Sequence, residues 1–418
     1  MDGSVLRNDL RRLEQKFIAS VYGGFGACLL KSANALFHGI ICGGSTIVAR
    51  LADLDAGGAH AKGARERVSR RLGNYDLATP ASGWMLGQGA AGVADGTTVA
   101  VDFSDISKEF GGKGMEGMAM GWDGSRHTAA MGHTFCAACA VRTGGDTVTP
   151  LSFAFERGRK PLAGRLADTL DAVRGATGGK GVFVLDRGGD GDETISLLLC
   201  KADRAVVRVN KLDRDVFGTG RDIDKELASL PATTVTLRKP GRTVGARVRW
   251  KEGFFGALRL PVLVVESSIG DHALYLYALP GKDAPAADDP CRDAKLSALA
   301  ARAAQAYLDR WQIEVFFERV KQDFALEDAR VRTFKRLRNL FYLCVLGYVF
   351  CTRFIPSEAA RDRLLKVFKD NFLRVSLKMQ VFLSGMRALL DQPRLRFITG
   401  RPKKPPDTSQ PLFEWAEL

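Results

Sequence analysis

Apolar positions recur at intervals of three and four from Leu6 to Ile18, and the chain reads as helical through about residue 75. From Thr97 the period changes. Thr98–Ser104 reads as a strand that ends in acids, TTVAVDFSD. Gly111–Gly124, rich in glycine and methionine, reads as a loop. Thr134–Val141 and Val148–Phe155 read as two further strands, with a turn at RTGGD between them. A helix over Ala163–Val173, a buried strand Val182–Leu185, a helix at Glu193–Cys200 and a strand at Ala205–Val209 follow. Hairpin-ordered strands followed by alternating helix and strand predict a mixed α/β sheet.

The pattern changes again over Lys211–Gly281. Thr233–Leu237, Thr243–Trp250, Ala257–Ser267 and Ala273–Leu279 are strand-like, and no helix is expected among them. This predicts an all-β insertion. A Pro/Ala/Asp linker, Lys282–Pro290, precedes helices from Ala294 to about Leu390. Arg401–Gln410, containing RPKKPP, reads as a flexible basic tail. The expected divisions are 1–95, 96–210, 211–290, 291–355 and 356–418. They are a helical N-terminal region suited to binding DNA ends, the first part of the sheet domain, the insertion, the helices that complete the domain, and a helical C-terminal region with the tail. Leu340–Val349 is the longest apolar stretch and too short for a membrane span, which needs about 20 residues.

Charge narrows the class of partner. The net charge is +14 with a pI near 9.5, which favours a polyanion, nucleic acid first. Lys62–Arg71 concentrates Arg65, Arg67, Arg70 and Arg71, and a second cluster comprises Arg330, Arg332, Lys335, Arg336 and Arg338. Both are candidate DNA-backbone contacts. Ser107 and Lys108, just past the first acidic strand end, are candidates to meet phosphate. Eight cysteines in 418 residues do not make a disulfide framework and suggest a reducing cytosol. No secretory signal opens the chain. Cys136-x-x-Cys139 lacks the second pair a zinc site needs and reads as two thiols in a buried strand. His127 and His133 read as structural. DRGGDGDE lacks the register of a calcium loop.

Two acids stand at strand ends, Asp102 in VAVDFSD and Asp186 in VFVLDRGG. Ligands gather at the carboxyl ends of strands in open α/β sheets, and carboxylate oxygens suit Mg²⁺. Strand alternation puts Asp102 and Ser104 on one face and Asp105 on the other, which favours Asp102 over Asp105. In AYLDRWQIEVFFERVKQ, 100° per residue places Tyr307, Arg310, Glu314 and Lys321 within an arc of about 60°. Bulky apolar residues flank that stripe, so its charges need partners. Glu318 falls close to the same arc and competes with Glu314 on geometry.

The spacing Tyr307-x2-Arg310-x3-Glu314-x6-Lys321 resembles the Tyr-Arg-Glu-Lys signature of bacterial insertion-sequence transposases of the family-four group, which carry a DDE active site. Asp102, and Asp186 in its Asp-Arg-Gly context, are similar to the family's first two acidic motifs. The β-rich stretch before Glu314 matches the family's insertion. Phe103-Ser104 after the first acid departs from the common pattern. The resemblance implies a ribonuclease-H-like fold in which Asp102, Asp186 and Glu314 hold two Mg²⁺ ions, with Mn²⁺ able to substitute. It implies phosphate contacts by Tyr307, Arg310 and Lys321, and base stacking by Trp250. It further implies excision and strand transfer of terminal inverted repeats into target DNA by a homodimer assembled on double-stranded DNA. The expected setting is cytoplasmic and nucleoid-associated, with no membrane. A transposase-derived binding protein without catalysis and a related metal-dependent nuclease are the alternatives.

Overall fold

The computed structural model describes residues 3–354 except 57–60, 109–113, 124–127, 158–160, 202, 257–258 and 282–283. His127 and the C-terminal region and tail expected over 356–418 lie outside the described residues.

Five helices open the chain: α1 (Gly3–Tyr22), α2 (Ala27–Gly43), α3 (Val48–Ala56), α4 (Ala61–Asn74) and α5 (Ala78–Ala90). Their apolar stripes explain them. Leu10, Leu13, Phe17 and Val21 are buried along α1, and Ala64, Val68 and Leu72 along α4, whose arginines take the remaining surface. Gly44 ends α2 in the left-handed region at φ 53° and returns its N–H to Ile40 O at 2.9 Å. These helices enclose α11 (Phe334–Val349), which is buried nearly throughout. The apolar Leu340–Val349 stretch is therefore a core helix. No single helix among the described residues is long and apolar enough to cross a membrane.

Asn339 fastens this bundle. Its side-chain nitrogen donates to Leu72 O at 2.8 Å and Tyr75 O at 2.9 Å, and its oxygen accepts from the N–H groups of Leu77 and Ala78 at 3.0 and 3.1 Å. One buried amide thus satisfies the end of α4 and the start of α5 together.

The strands are β1 (Thr98–Ser107), β2 (Ala119–Asp123), β3 (Thr128–Val141), β4 (Val148–Ala154), β5 (Val182–Leu185), β6 (Ala205–Arg208), β7 (Thr233–Lys239), β8 (Arg242–Phe255), β9 (Leu260–Ile269) and β10 (His272–Leu279). They form one mixed sheet in the order β2-β3-β1-β5-β6-β10-β9-β8-β7, with β4 also on β3. Within it, β4-β3-β1-β5-β6 is the ribonuclease-H-like core. There β1 runs antiparallel to β3 and parallel to β5, and β5 runs parallel to β6. On one face lie α6 (Leu162–Thr177) and α7 (Asp192–Cys200). On the other lie α9 (Arg292–Arg310), α10 (Gln312–Gln322) and the helical bundle. Ala300, Ala303 and Ala304 bring α9 close to the sheet.

Two expectations change. The β-rich insertion, whose β10 pairs with β6 and extends the central sheet, is not all-β. It contains a short helix, α8 (Ile223–Ala228), held by Ile223 and Leu227, which are buried on one face of the helix. The glycine- and methionine-rich loop contains β2, which β3 recruits edge to edge from Ala119↔Gly132 to Asp123↔Thr128. Strand pairing there overrides a composition that favours turns.

Cys136 and Cys139 fall in core clusters on opposite faces of the sheet, and burial raises both thiols, Cys136 to about 12. His133 is buried between Phe155 and Phe334, and burial pushes its imidazole down to about 4, so it stays neutral.

Candidate active site

β1 and β5 are neighbours, and their parallel register ends at Val101↔Leu185. The next residue of each strand is Asp102 and Asp186. Two carboxylates therefore emerge side by side where the pairing stops. Ala100 and Val184, two residues earlier, lie in the clusters on the α9 side, and alternation carries both acids to that side.

α9 and α10 supply the opposing groups. Arg310 Nη1 donates to Asp102 Oδ2 at 3.1 Å, its Nη2 bonds Glu314 Oε1, and Nη2 lies 3.9 Å from Asp186 Oδ2. The phenol of Tyr307 donates to Asp186 Oδ1 at 2.7 Å. A single guanidinium, 4% exposed, thus touches all three acids. Arg208, the last residue of β6, stands 3.6 Å from Asp186 Oδ1 and 3.4 Å from the Tyr307 hydroxyl. The motif did not contain Arg208. Its signal is a cation at the end of the next parallel strand.

Burial decides the proton balance. It raises Asp102 and Glu314 above the usual carboxylate range, and the attraction of Arg310 only partly offsets this. Asp186 also feels burial, but Arg310, the Tyr307 hydroxyl and Arg208 outweigh it and hold its carboxyl low. Burial and the adjacent Asp186 raise Tyr307 to about 12. For Arg310, burial favours the neutral form, and the surrounding carboxylates more than reverse it. The cluster is thus short of positive charge, with hard oxygen donors gathered about one cation. That donor set fits a divalent ion such as Mg²⁺ or Mn²⁺.

The structure departs from one continuous signature helix. It breaks at Trp311, where Glu314 N–H reaches back three residues to Trp311 O at 3.1 Å. Tyr307, Arg310 and Glu314 remain together. Lys321 lies further along α10, 3.5 Å from Asp105 Oδ1 and 3.6 Å from Glu327 Oε1. Asp105 also takes a hydrogen bond from Ser107 and stays apart from the Arg310 cluster. Glu318 is exposed.

Lys108 is not poised for phosphate. It is buried, and its ammonium donates to Glu327 O at 2.6 Å, Ala329 O at 3.0 Å and Leu326 O at 3.3 Å. In DRGGD the second acid, Asp190, is also occupied. It accepts from the N–H groups of Asn210 and Lys211 at 2.5 and 3.0 Å and pairs with Arg214 at 2.5 Å. Trp250, on β8, is half-buried against the cluster that contains Tyr307.

The two basic runs adjoin. Lys335 Nζ donates to Asn74 O at 3.4 Å, and Arg336 lies against Gly73. Arg65, Arg70, Arg330, Arg332 and Lys335 are exposed, whereas Arg67, Arg71 and Arg336 are half-buried.

Residues 88–350 match the model of the transposase DDE domain, a span from α5 through α11. The chain belongs to this family. No curated protein matches it. Membership in the transposase DDE-domain family makes it a transposase-type enzyme with DNA as its substrate, of a class that generally uses divalent metal ions. The matched span contains both strand-end aspartates and the whole Tyr307–Lys321 segment.

Proposed function

We propose that this protein cuts transposon ends and joins them to target DNA by in-line phosphoryl transfer at Asp102, Asp186 and Glu314. The observation that carries the proposal is the contact of Arg310 with all three carboxylates. Two Mg²⁺ ions, or Mn²⁺, held by these acids would supply activation of the attacking oxygen and stabilisation of the leaving one. The chain's own residues do the rest. Arg310 and Tyr307 keep the acids together before loading. A guanidinium fork and a phenol at this place suit the oxygens of the scissile strand. Lys321 adds a point charge two turns beyond Glu314 on α10. The spacing of these residues supports placement in the family-four group.

The exposed arginines of α4 and of residues 330–335 are the proposed backbone contacts for double-stranded DNA, with the N-terminal region taking part in gripping the terminal repeats. Trp250 is the proposed stacking partner for a displaced base, supported by its half-exposed ring on the sheet face that carries Tyr307. The working form is proposed to be a homodimer assembled on DNA.

The test is cleavage of DNA bearing paired terminal inverted repeats, with Mg²⁺ or Mn²⁺ and with chelator. Metal-dependent cutting at the repeat ends, abolished in Glu314→Gln while end binding persists, is the expected result. Cutting indifferent to end sequence would make the protein a general nuclease. End binding without cutting would make it a binding protein derived from a transposase. Unchanged cutting by Glu314→Gln would remove Glu314 from the site.

A further inference from the structure

Away from the acidic site, three side chains of metal-binding type meet between α1 and α2. Glu14 stands on α1, and His38 and Cys42 stand one turn apart on α2. Glu14 Oε2 and His38 Nδ1 are 2.7 Å apart, and Cys42 Sγ lies 3.5 Å from both ring nitrogens of His38. One ligand atom from each residue falls within 4.8 Å of the other two. None of the three belongs to the phosphoryl-transfer site.

We infer that Glu14, His38 and Cys42 form a binding site for one zinc-class transition-metal ion that staples α1 to α2. A tetrahedral zinc ion with bonds of about 2.0–2.3 Å spaces its ligands roughly 3.3–3.8 Å apart. The sulfur–nitrogen distance already fits. The oxygen and nitrogen must separate by about half an ångström, and the imidazole must turn Nδ1 toward the ion, to exchange a shared hydrogen bond for two metal bonds.

The carboxylate carries the second argument. Glu14 is 4% exposed, and its other oxygen, Oε1, is buried without a hydrogen-bond partner among the described residues. A buried carboxylate oxygen with no donor is costly. A cation held by both oxygens of the Glu14 carboxylate would satisfy it. Thiolate, imidazole and carboxylate together favour zinc, cobalt or copper over Mg²⁺ or Ca²⁺. Binding sends the Cys42 thiol proton to solvent, and the imidazole keeps its own proton on Nε2 while Nδ1 meets the ion. The His38 side chain is 32% exposed, which gives the ion a path in and leaves a fourth position for water.

The test is titration of the metal-stripped full chain with Co²⁺. The expected result is a tetrahedral ligand-field spectrum and a thiolate-to-cobalt charge-transfer band that saturate together, with Co²⁺ taken up by the catalytic acids adding nothing to the band, and both removed by Zn²⁺. Cys42→Ser should abolish the band, and Glu14→Gln should weaken binding by about tenfold or more. Asp102→Asn should leave the band intact, which separates this site from the catalytic acids. Should Cys42→Ser fail to fold, His38→Gln takes its place, with loss of the tetrahedral spectrum as the readout. A wild-type titration without a charge-transfer band, or a band that survives Cys42→Ser, would overturn the proposal.

Discussion

Arg310 donates to Asp102 at 3.1 Å across 208 residues of sequence. The same guanidinium bonds Glu314 one helical turn further on. It therefore acts as the internal counter-ion of the acidic cluster. Arg310→Gln should leave three carboxylates with only Arg208 nearby. Removing one partner of a buried charge network costs about 3–5 kcal/mol, so the variant should melt well below the wild type in chelator. Mn²⁺ should restore more of that loss than it adds to the wild type, because the acids then need the ion more. Thermal unfolding with and without Mn²⁺ checks this. Equal metal responses in the two proteins would mean that these acids do not bind the ion together.

Glu314 has the opposite sign. Its folded-state carboxyl titrates above the ordinary range, chiefly through burial. Ionising it is thus harder in the fold than in the unfolded chain, and the penalty disappears as pH falls through the raised value. Glu314→Gln should therefore match or exceed the wild type in melting temperature at neutral pH without metal, and should lose the metal-dependent rise. An active site that sacrifices stability for a charged cluster behaves this way. A variant markedly less stable than the wild type in chelator would show that the Arg310 pair outweighs the burial term.

Much of this site could be read from residues alone, because it rests on two local rules. Period-two runs ending in Asp102 and Asp186 locate strand ends, and helical spacing groups Tyr307, Arg310 and Glu314. What those rules lack is pairing. Nothing local tells that β10 joins β6, so the strand pattern reveals an insertion but not the sheet it extends. Lys108 reads as a phosphate contact from its place after β1, and only the turn after α10, which presents three carbonyls to it, shows that it is structural. Arg208 becomes visible only once β6 is known to lie beside β5.

Asp309, next to Arg310, faces away from the acids and anchors the RTGGD turn. Its Oδ1 accepts from Gly144 N–H and the Gln305 side chain, both at 3.0 Å. Its Oδ2 is buried without a hydrogen-bond partner among the described residues. Burial raises this carboxyl to about 6, above its unfolded value. Stability should therefore increase as pH falls through about 6 and level off near 4, where the unfolded group also protonates. Asp309→Asn keeps the accepting oxygen and removes the charge. It should gain up to about 2–3 kcal/mol at pH 7 and nothing near pH 4. Denaturant unfolding at the two pH values decides, and a loss at pH 7 would contradict the assignment.

Asn339 offers a test of the bundle alone. Its amide makes four hydrogen bonds between α11 and the α4–α5 junction. Asn339→Ala should destabilise the protein by about 3 kcal/mol, because each buried group left unsatisfied costs about 1–3 kcal/mol and some relax toward water. Asn339→Asp keeps the acceptor but sets a second carboxylate oxygen against two carbonyls, and it should be worse at neutral pH. A melting temperature within a degree of the wild type for the alanine variant would show that the junction holds without the amide.

The two basic runs meet where Lys335 reaches the end of α4, so they should act on DNA as one surface. Arg65, Arg70, Arg330 and Arg332 are exposed, and replacing all four with Gln leaves the buried packing intact. If each neutralises one phosphate, the log–log salt dependence of DNA binding should flatten by about 0.9 per residue, or roughly 3.6 in total. The slope is the decisive quantity, since affinity at one salt concentration also reflects base contacts. The two arginines of α4 and the pair Arg330 and Arg332 should each account for about half of the change. A slope that responds to only one pair would assign the DNA path to that segment and leave the other as solvated surface.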